Sequence, residues 1–165
     1  MPHWTLSRAS SQAIQHSLRT AIAAVVALAA AELLRLPDPY WAPITTLVVL
    51  QSTLGASWAV SLRRLGGTAL GAATGALACI WFGANLAVYG ICILLMGLIC
   101  AVLRTDNSAY RFAGIALTIV MITPQTAPAW IIGLHRFTEV SLGIVVGLLL
   151  TFIWPEPLPP ATKTS

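Results

Sequence analysis

Six apolar runs, separated by short polar or proline-containing turns, dominate the sequence: about residues 18–36, 40–56, 65–82, 86–103, 112–123 and 136–154. Four of them approach the roughly 20 residues with which a helix crosses a hydrocarbon core about 30 Å thick. Nine Lys and Arg and five Asp and Glu make only 8% of the chain charged, against 58% hydrophobic. A soluble domain covers itself with about 25% charged residues. This chain cannot do so, which makes lipid its solvent. The expected fold class is all-α, a polytopic membrane protein of six transmembrane helices, with no room for a separate soluble domain. The net charge of +4 falls at the ends of the runs, where it sets topology and does not bind nucleic acid.

Residues 1–17 form a polar lead with Arg8 and His16, expected to be a cytoplasmic segment that can form a short interfacial helix. A secretory signal is the competing reading, because Ala27-Leu28-Ala29 resembles a cleavage site. The basic lead is long for a signal, and no soluble mature domain follows. Leu36-Pro37-Asp38-Pro39 ends the first run, since proline cannot continue a helix. The tail 155–165, rich in proline, is expected to be disordered and cytoplasmic. With six crossings the termini share a side, holding Arg8, Arg19, Arg63, Arg64, Arg104, Arg111 and Lys163 against Arg35 and Arg136 opposite. The positive-inside rule puts that side in the cytoplasm.

The second run opens on Tyr40-Trp41, an aromatic pair suited to the headgroup level, and has too short an apolar part to span alone. It loosens into Gln51, Ser52, Thr53 and Gly55. Broken backbone at membrane depth survives only when buried in protein or lining a wet cavity. The fifth run is also short and stops at Thr123-Pro124-Gln125. A shift of 72 positions lays the third run on the sixth, pairing Arg64 with Arg136, Gly71 with Gly143 and Gly75 with Gly147; the second then falls on the fifth, Thr46 on Thr118. Three helices separate the copies, so an inverted three-plus-three repeat is expected, with a binding site between the paired short segments. Chance is the competing explanation, because apolar sequence uses few residue types.

Gly67, Gly71, Gly75, Gly143 and Gly147 recur at four-residue spacing, the pattern of close helix packing. A ligand lying on bare backbone is the sharper alternative. Arg63 and Arg64 read as the start of the third helix, near the interface; Arg64 either anchors the helix there or turns inward, where its planar fork suits a carboxylate. Arg136 has the same choice. Glu139 and Glu32 are intramembrane carboxylates, hence candidate proton carriers, unless neutralised by Arg136 and Arg35 three residues away. The candidate substrate set is Arg64, Gln51, Thr53, Gln125 and Trp41; its polar members serve equally to satisfy broken backbone. His3, His16 and His135 have no ligand spacing, and Cys79, Cys92 and Cys100 read as small buried hydrophobes, so no metal or cofactor is expected. No nucleophile elbow or phosphate loop appears, and an enzyme is not expected.

Tyr40-Trp41-Ala42, Gln51 and the run Arg64-Leu65-Gly66-Gly67-Thr68-Ala69-Leu70-Gly71 resemble the fusaric acid resistance and aromatic acid exporter family. Arg64, Gly67, Thr68 and Gly71 match its R-x-x-G-T-x-x-G start to the third helix. The resemblance implies a six-helix bacterial inner-membrane module linked to efflux of aromatic carboxylic acids and related toxic compounds. Plant aluminium-activated malate transporters, which are dimeric anion channels, look distantly similar. The larger exporters carry two such modules and a soluble domain; a homodimer of this single module restores that count. The function expected is proton-coupled export of a small organic anion. The alternatives are a passive anion channel on the same scaffold and a non-transporting membrane subunit that binds a partner.

Overall fold

The computed structural model describes residues 3–51, 53–102, 107–123 and 127–155. Among them there are six helices and no strand: α1 (His3–Leu33), α2 (Trp41–Val49), α3 (Leu54–Phe82), α4 (Leu86–Val102), α5 (Asn107–Ile122) and α6 (Ala129–Ile153). Segments Ala13–Leu33, Leu54–Phe82 and Ala129–Ile153 are long and apolar enough to cross a membrane, and Leu86–Val102 and Ser108–Ile122 are shorter apolar helices. Large apolar side chains such as Leu86, Val102 and Trp81 point outward, three-quarters or more exposed. That is the arrangement lipid favours and water penalises.

Four of the six helices, α1, α3, α5 and α6, are longer than their apolar runs, and this corrects the expected boundaries. α3 begins at Leu54 instead of residue 65, and α6 at Ala129 instead of 136. α5 extends back to Asn107, into the expected polar loop, and α1 absorbs most of the polar lead into one continuous helix. Hydropathy marks where lipid lies; the backbone keeps its hydrogen-bond ladder beyond it. Arg63, Arg64 and Arg136 therefore stand inside helices and not at their starts. The expected second run 40–56 is a nine-residue helix about 13 Å long, followed by extended backbone at Leu50 and Thr53. The tail 156–165 and the basic residues Arg104 and Lys163 lie outside the described residues.

α1 ends in a Schellman turn: Leu36 N–H reaches Ala31 C=O at 3.0 Å, and Arg35 N–H reaches Glu32 C=O at 2.9 Å. Arg35 takes the left-handed conformation (φ 53°) that glycine usually fills there. Pro37 follows, so the chain turns directly into the loop that carries Asp38.

α3 and α6 pack on each other at the centre. α5 lies along α3, and α2 along α6. α1 covers α2 and α6; α4 covers α5 and α3. Gly67 meets Ala109, Gly71 meets Ala113, and Gly75 meets Leu117 and Val120, so α3 and α5 run parallel. Likewise Gly143 meets Ala42 and Thr45, and Gly147 meets Val49, so α2 and α6 run parallel. At these five glycines the facing helix lies within contact distance of where a Cβ would stand. Thr46 strengthens one seam, its hydroxyl lying 2.9 Å from Gly143 C=O and 3.0 Å from its own Ala42 C=O.

At Gly71 an added Cβ would collide with the Ala113 carbonyl, whereas at Gly66 it would meet open space. Gly71→Val is expected to cost about 3 kcal/mol or more, while Gly66→Ala stays within about 0.5 kcal/mol. Thermal unfolding in detergent tells them apart, and equal stability of the two variants would contradict the α3–α5 seam.

Candidate functional site

The buried polar side chains gather in two places. The first lies where α2, α3, α5 and α6 meet. Arg64 and Arg136 are 4% and 3% exposed, and with Trp41, Thr68, Phe112 and Val140 they line one recess, barely large enough for a single water. Each guanidinium lies over an aromatic ring: Arg64 is 5.0 Å from the Phe112 centroid, and Arg136 is 4.4 Å from that of Trp41. Such cation–π contacts are worth about 2 kcal/mol when desolvated.

The two arginines are satisfied differently. Arg136 Nη2 donates to Asp38 Oδ2 at 3.0 Å, and Nη1 lies 2.9 Å from Glu139 Oε2. The second contact is close but out of line, so it is Coulombic more than a hydrogen bond. Glu139 is fully buried, and its Oε1 accepts the Asp38 backbone N–H at 3.0 Å. Arg64 instead donates Nε and Nη2 to one neutral acceptor, Thr45 Oγ1, at 3.1 and 2.9 Å. Among the described residues no carboxylate lies within ion-pair distance of Arg64. Arginine at a helix centre costs roughly 2.5–3.5 kcal/mol on insertion scales. Arg136 offsets that cost with two carboxylates, whereas Arg64 has a hydroxyl and a ring.

The second polar site is the break after α2. Arg19, fully buried on α1, donates Nη2 to Gln51 C=O at 2.7 Å and Nη1 to Trp154 C=O at 3.0 Å. One guanidinium thus caps the C-terminal ends of the parallel helices α2 and α6, where the helix dipoles favour a cation. Gln51 N–H donates to Ser57 Oγ at 3.0 Å, and Ser57 Oγ is 3.3 Å from Thr151 Oγ1, which gives its own proton to Gly147 C=O at 2.8 Å. The Ser57 hydroxyl is therefore the donor to Thr151. Gln51 Nε2 bonds Val48 C=O at 3.2 Å, and Thr53 Oγ1 caps α3 by accepting from Ala56 N–H at 3.2 Å.

The structure thus brings together Arg64, Arg136, Trp41 and Glu139, all singled out from the sequence, and adds Asp38, Thr45, Thr68 and Phe112. Gln51 and Thr53 lie at the break, engaged with backbone. Glu32 is exposed at the end of α1 and makes no ion pair with Arg35 among the described residues. Gln125 lies outside the described residues. Trp41, expected at headgroup level, lies under Arg136 in the recess. Arg19 was legible as an arginine just inside an apolar run; Asp38, between two prolines, carried only a turn signal.

Helices that leave large apolar side chains outward and enclose paired arginines define a polytopic membrane protein with a charged interior. Residues 10–150 match the fusaric acid resistance protein-like family, and the chain belongs to it. It is 34% identical to the uncharacterized transporter YdhK of Escherichia coli K12 over 90% of this chain and 24% of that protein. The Salmonella typhimurium protein of the same name is 32% identical over 90% of this chain and 23% of its own length. The Escherichia coli inner membrane protein YeeA is 25% identical over 87% of this chain and 41% of its own. The chain spans about a quarter of the transporters it matches. No solved structure matches it.

Arg19→Ala removes the shared cap of α2 and α6 and is expected to destabilise the fold by about 1–3 kcal/mol. Arg19→Lys, which cannot fork to two carbonyls, recovers less than half of the loss. Chemical unfolding in mixed micelles measures both; an Arg19→Ala protein as stable as the parent would refute the capping role.

Proposed function

We propose that the chain is a bacterial inner-membrane transport module exporting small organic anions, with aromatic carboxylates as the substrate class, and that Arg64 is the anion-binding residue. One observation carries this reading: Arg64 is buried at the meeting of four helices with a hydroxyl and an aromatic ring for partners, while Arg136 beside it has two carboxylates. A guanidinium held that way offers an incoming carboxylate a better partner than the one it has. Phe112 and Trp41 supply flat apolar faces for an aromatic body. The family and the printed names of YdhK support transport.

An inverted repeat is part of the proposal. The helix contacts support it: exchanging α1, α2, α3 for α4, α5, α6 maps every packed pair onto another packed pair. The glycine contacts favour a shift of 71 between α2 and α5, Ala42 matching Ala113 and Val49 matching Val120, beside 72 between α3 and α6. Trp41 then matches Phe112 as Arg136 matches Arg64. The recess is closed to anything much larger than water, which favours alternating access over a standing pore. Glu139, inside the charged cluster, is the proton-coupling candidate, and Glu32 stands apart from it. A homodimer with both termini cytoplasmic completes the proposal.

In proteoliposomes, Arg64→Ala is expected to lower benzoate flux at least about 100-fold, the loss of one charge-assisted pair of roughly 3 kcal/mol. Arg64→Lys retains part of it. Flux equal to the parent in Arg64→Ala would remove Arg64 from the mechanism.

A further inference from the structure

The partners of Arg136 are graded from inside to outside. Glu139 is fully buried, the Arg136 side chain is 4% exposed, and the Asp38 side chain is 36% exposed. Asp38 belongs to neither helix that frames Arg136; it sits on the loop between α1 and α2. That loop is tied to α6 twice, by the Asp38 carboxylate on Arg136 and by the Asp38 backbone N–H on Glu139. Tyr40 adds a third tie within the loop, its hydroxyl donating to Asp38 Oδ1 at 3.2 Å. Removing the carboxylate tie leaves the loop held to α6 by the Asp38 backbone N–H alone. The same guanidinium lines the recess beside Arg64. One group thus faces the candidate anion site and holds the loop beside it.

We propose that Asp38 is a resident substitute for the substrate carboxylate: it occupies the outer fork of Arg136, latches the α1–α2 loop against α6, and is displaced when an anion binds. This rests on the reading of the recess as the anion site. The chemistry is an exchange of one carboxylate for another on the same guanidinium, so the charge of the cluster is conserved inside the bundle and no bare ion is created. Glu139 stays in place through the exchange. It is the inner carboxylate, has no exposure, and keeps Arg136 charged and oriented while the outer partner changes. The α3 position matching Glu139 is Gly67, whose added Cβ would meet Ala109 C=O at 2.6 Å. The Arg64 half therefore has no room for a matching inner acid. The two arginines share the incoming anion across the recess that both line, and Arg136, through Asp38, also reports binding to the loop. Arg136 and Asp38 are positioning and gating residues in this scheme.

The test uses Asp38→Asn, which keeps the side-chain shape and the backbone N–H but removes the charge. In a background with the native cysteines replaced, Thr68→Cys reports access to the recess through its rate of maleimide labelling, and benzoate flux in proteoliposomes supplies KM. Asp38→Asn is expected to speed labelling about tenfold and to lower KM for benzoate about tenfold, because the anion no longer competes with a resident carboxylate. Unchanged labelling in folded Asp38→Asn overturns the latch. Faster labelling with unchanged KM overturns the exchange. No benzoate flux from the parent protein, with labelling still accelerated, removes the transport reading and leaves the latch standing. Should Asp38→Asn fail to fold, Tyr40→Phe, which strips only the second partner of Asp38, carries the same readouts with smaller changes.

Discussion

A guanidinium enclosed by lipid-solvated helices must have its charge balanced and its N–H donors met from within the protein, since no bulk water reaches it. Three buried arginines impose that demand here, and much of the architecture follows. Arg19 needs free carbonyls and finds them where α2 and α6 stop. Arg136 needs negative charge and finds it on Glu139 and on a loop that must fold back to supply Asp38. Arg64 needs an acceptor on a second helix and finds Thr45 on α2. Arg64 and Arg19 thereby tie α2 and the break that follows it to α3 and α1.

The glycine seams make those pairings reachable. Gly71 and Gly143 let α5 and α2 lie against their partners at backbone distance. Phe112 and Trp41 are thereby delivered under the two guanidinium groups. A bulkier seam would separate the helices and leave the arginines facing one another across a wider, wetter gap. Close packing and buried charge are therefore one device in this fold, and the smallness of the recess is its consequence.

Much of this was legible in the sequence. Low charge and six apolar runs give the class, the glycine spacing gives the seams, and the polar end of the second run gives the break at residues 50–53. Arg64, Trp41 and Glu139 could be singled out because charge and aromatics are conspicuous among apolar neighbours. The rest was hidden for physical reasons. Helix ends extend past hydropathy boundaries, so Arg64 read as an interface residue when it stands inside α3. Asp38 acquires its role only through a partner 98 residues away, which no local pattern encodes. The one-residue offset in the proposed repeat, 71 for the short helices and 72 for the long ones, rests on contacts that no sequence alignment of the two halves contains. Gln51 and Thr53 were conspicuous for the right reason, polarity at a break, yet their bonds go to backbone.

The claim on which the rest depends is that the guanidinium groups are dehydrated and stacked at the meeting of four helices. Solid-state NMR on the chain in lipid bilayers, with guanidinium-labelled arginine and ring-labelled tryptophan, addresses it directly. A dipolar coupling consistent with Arg136 Cζ about 4.4 Å from the Trp41 ring centroid, lost in Arg136→Lys, is the expected result. Slow exchange of the guanidinium protons with water should accompany it. No coupling, with guanidinium protons exchanging freely, would contradict the account.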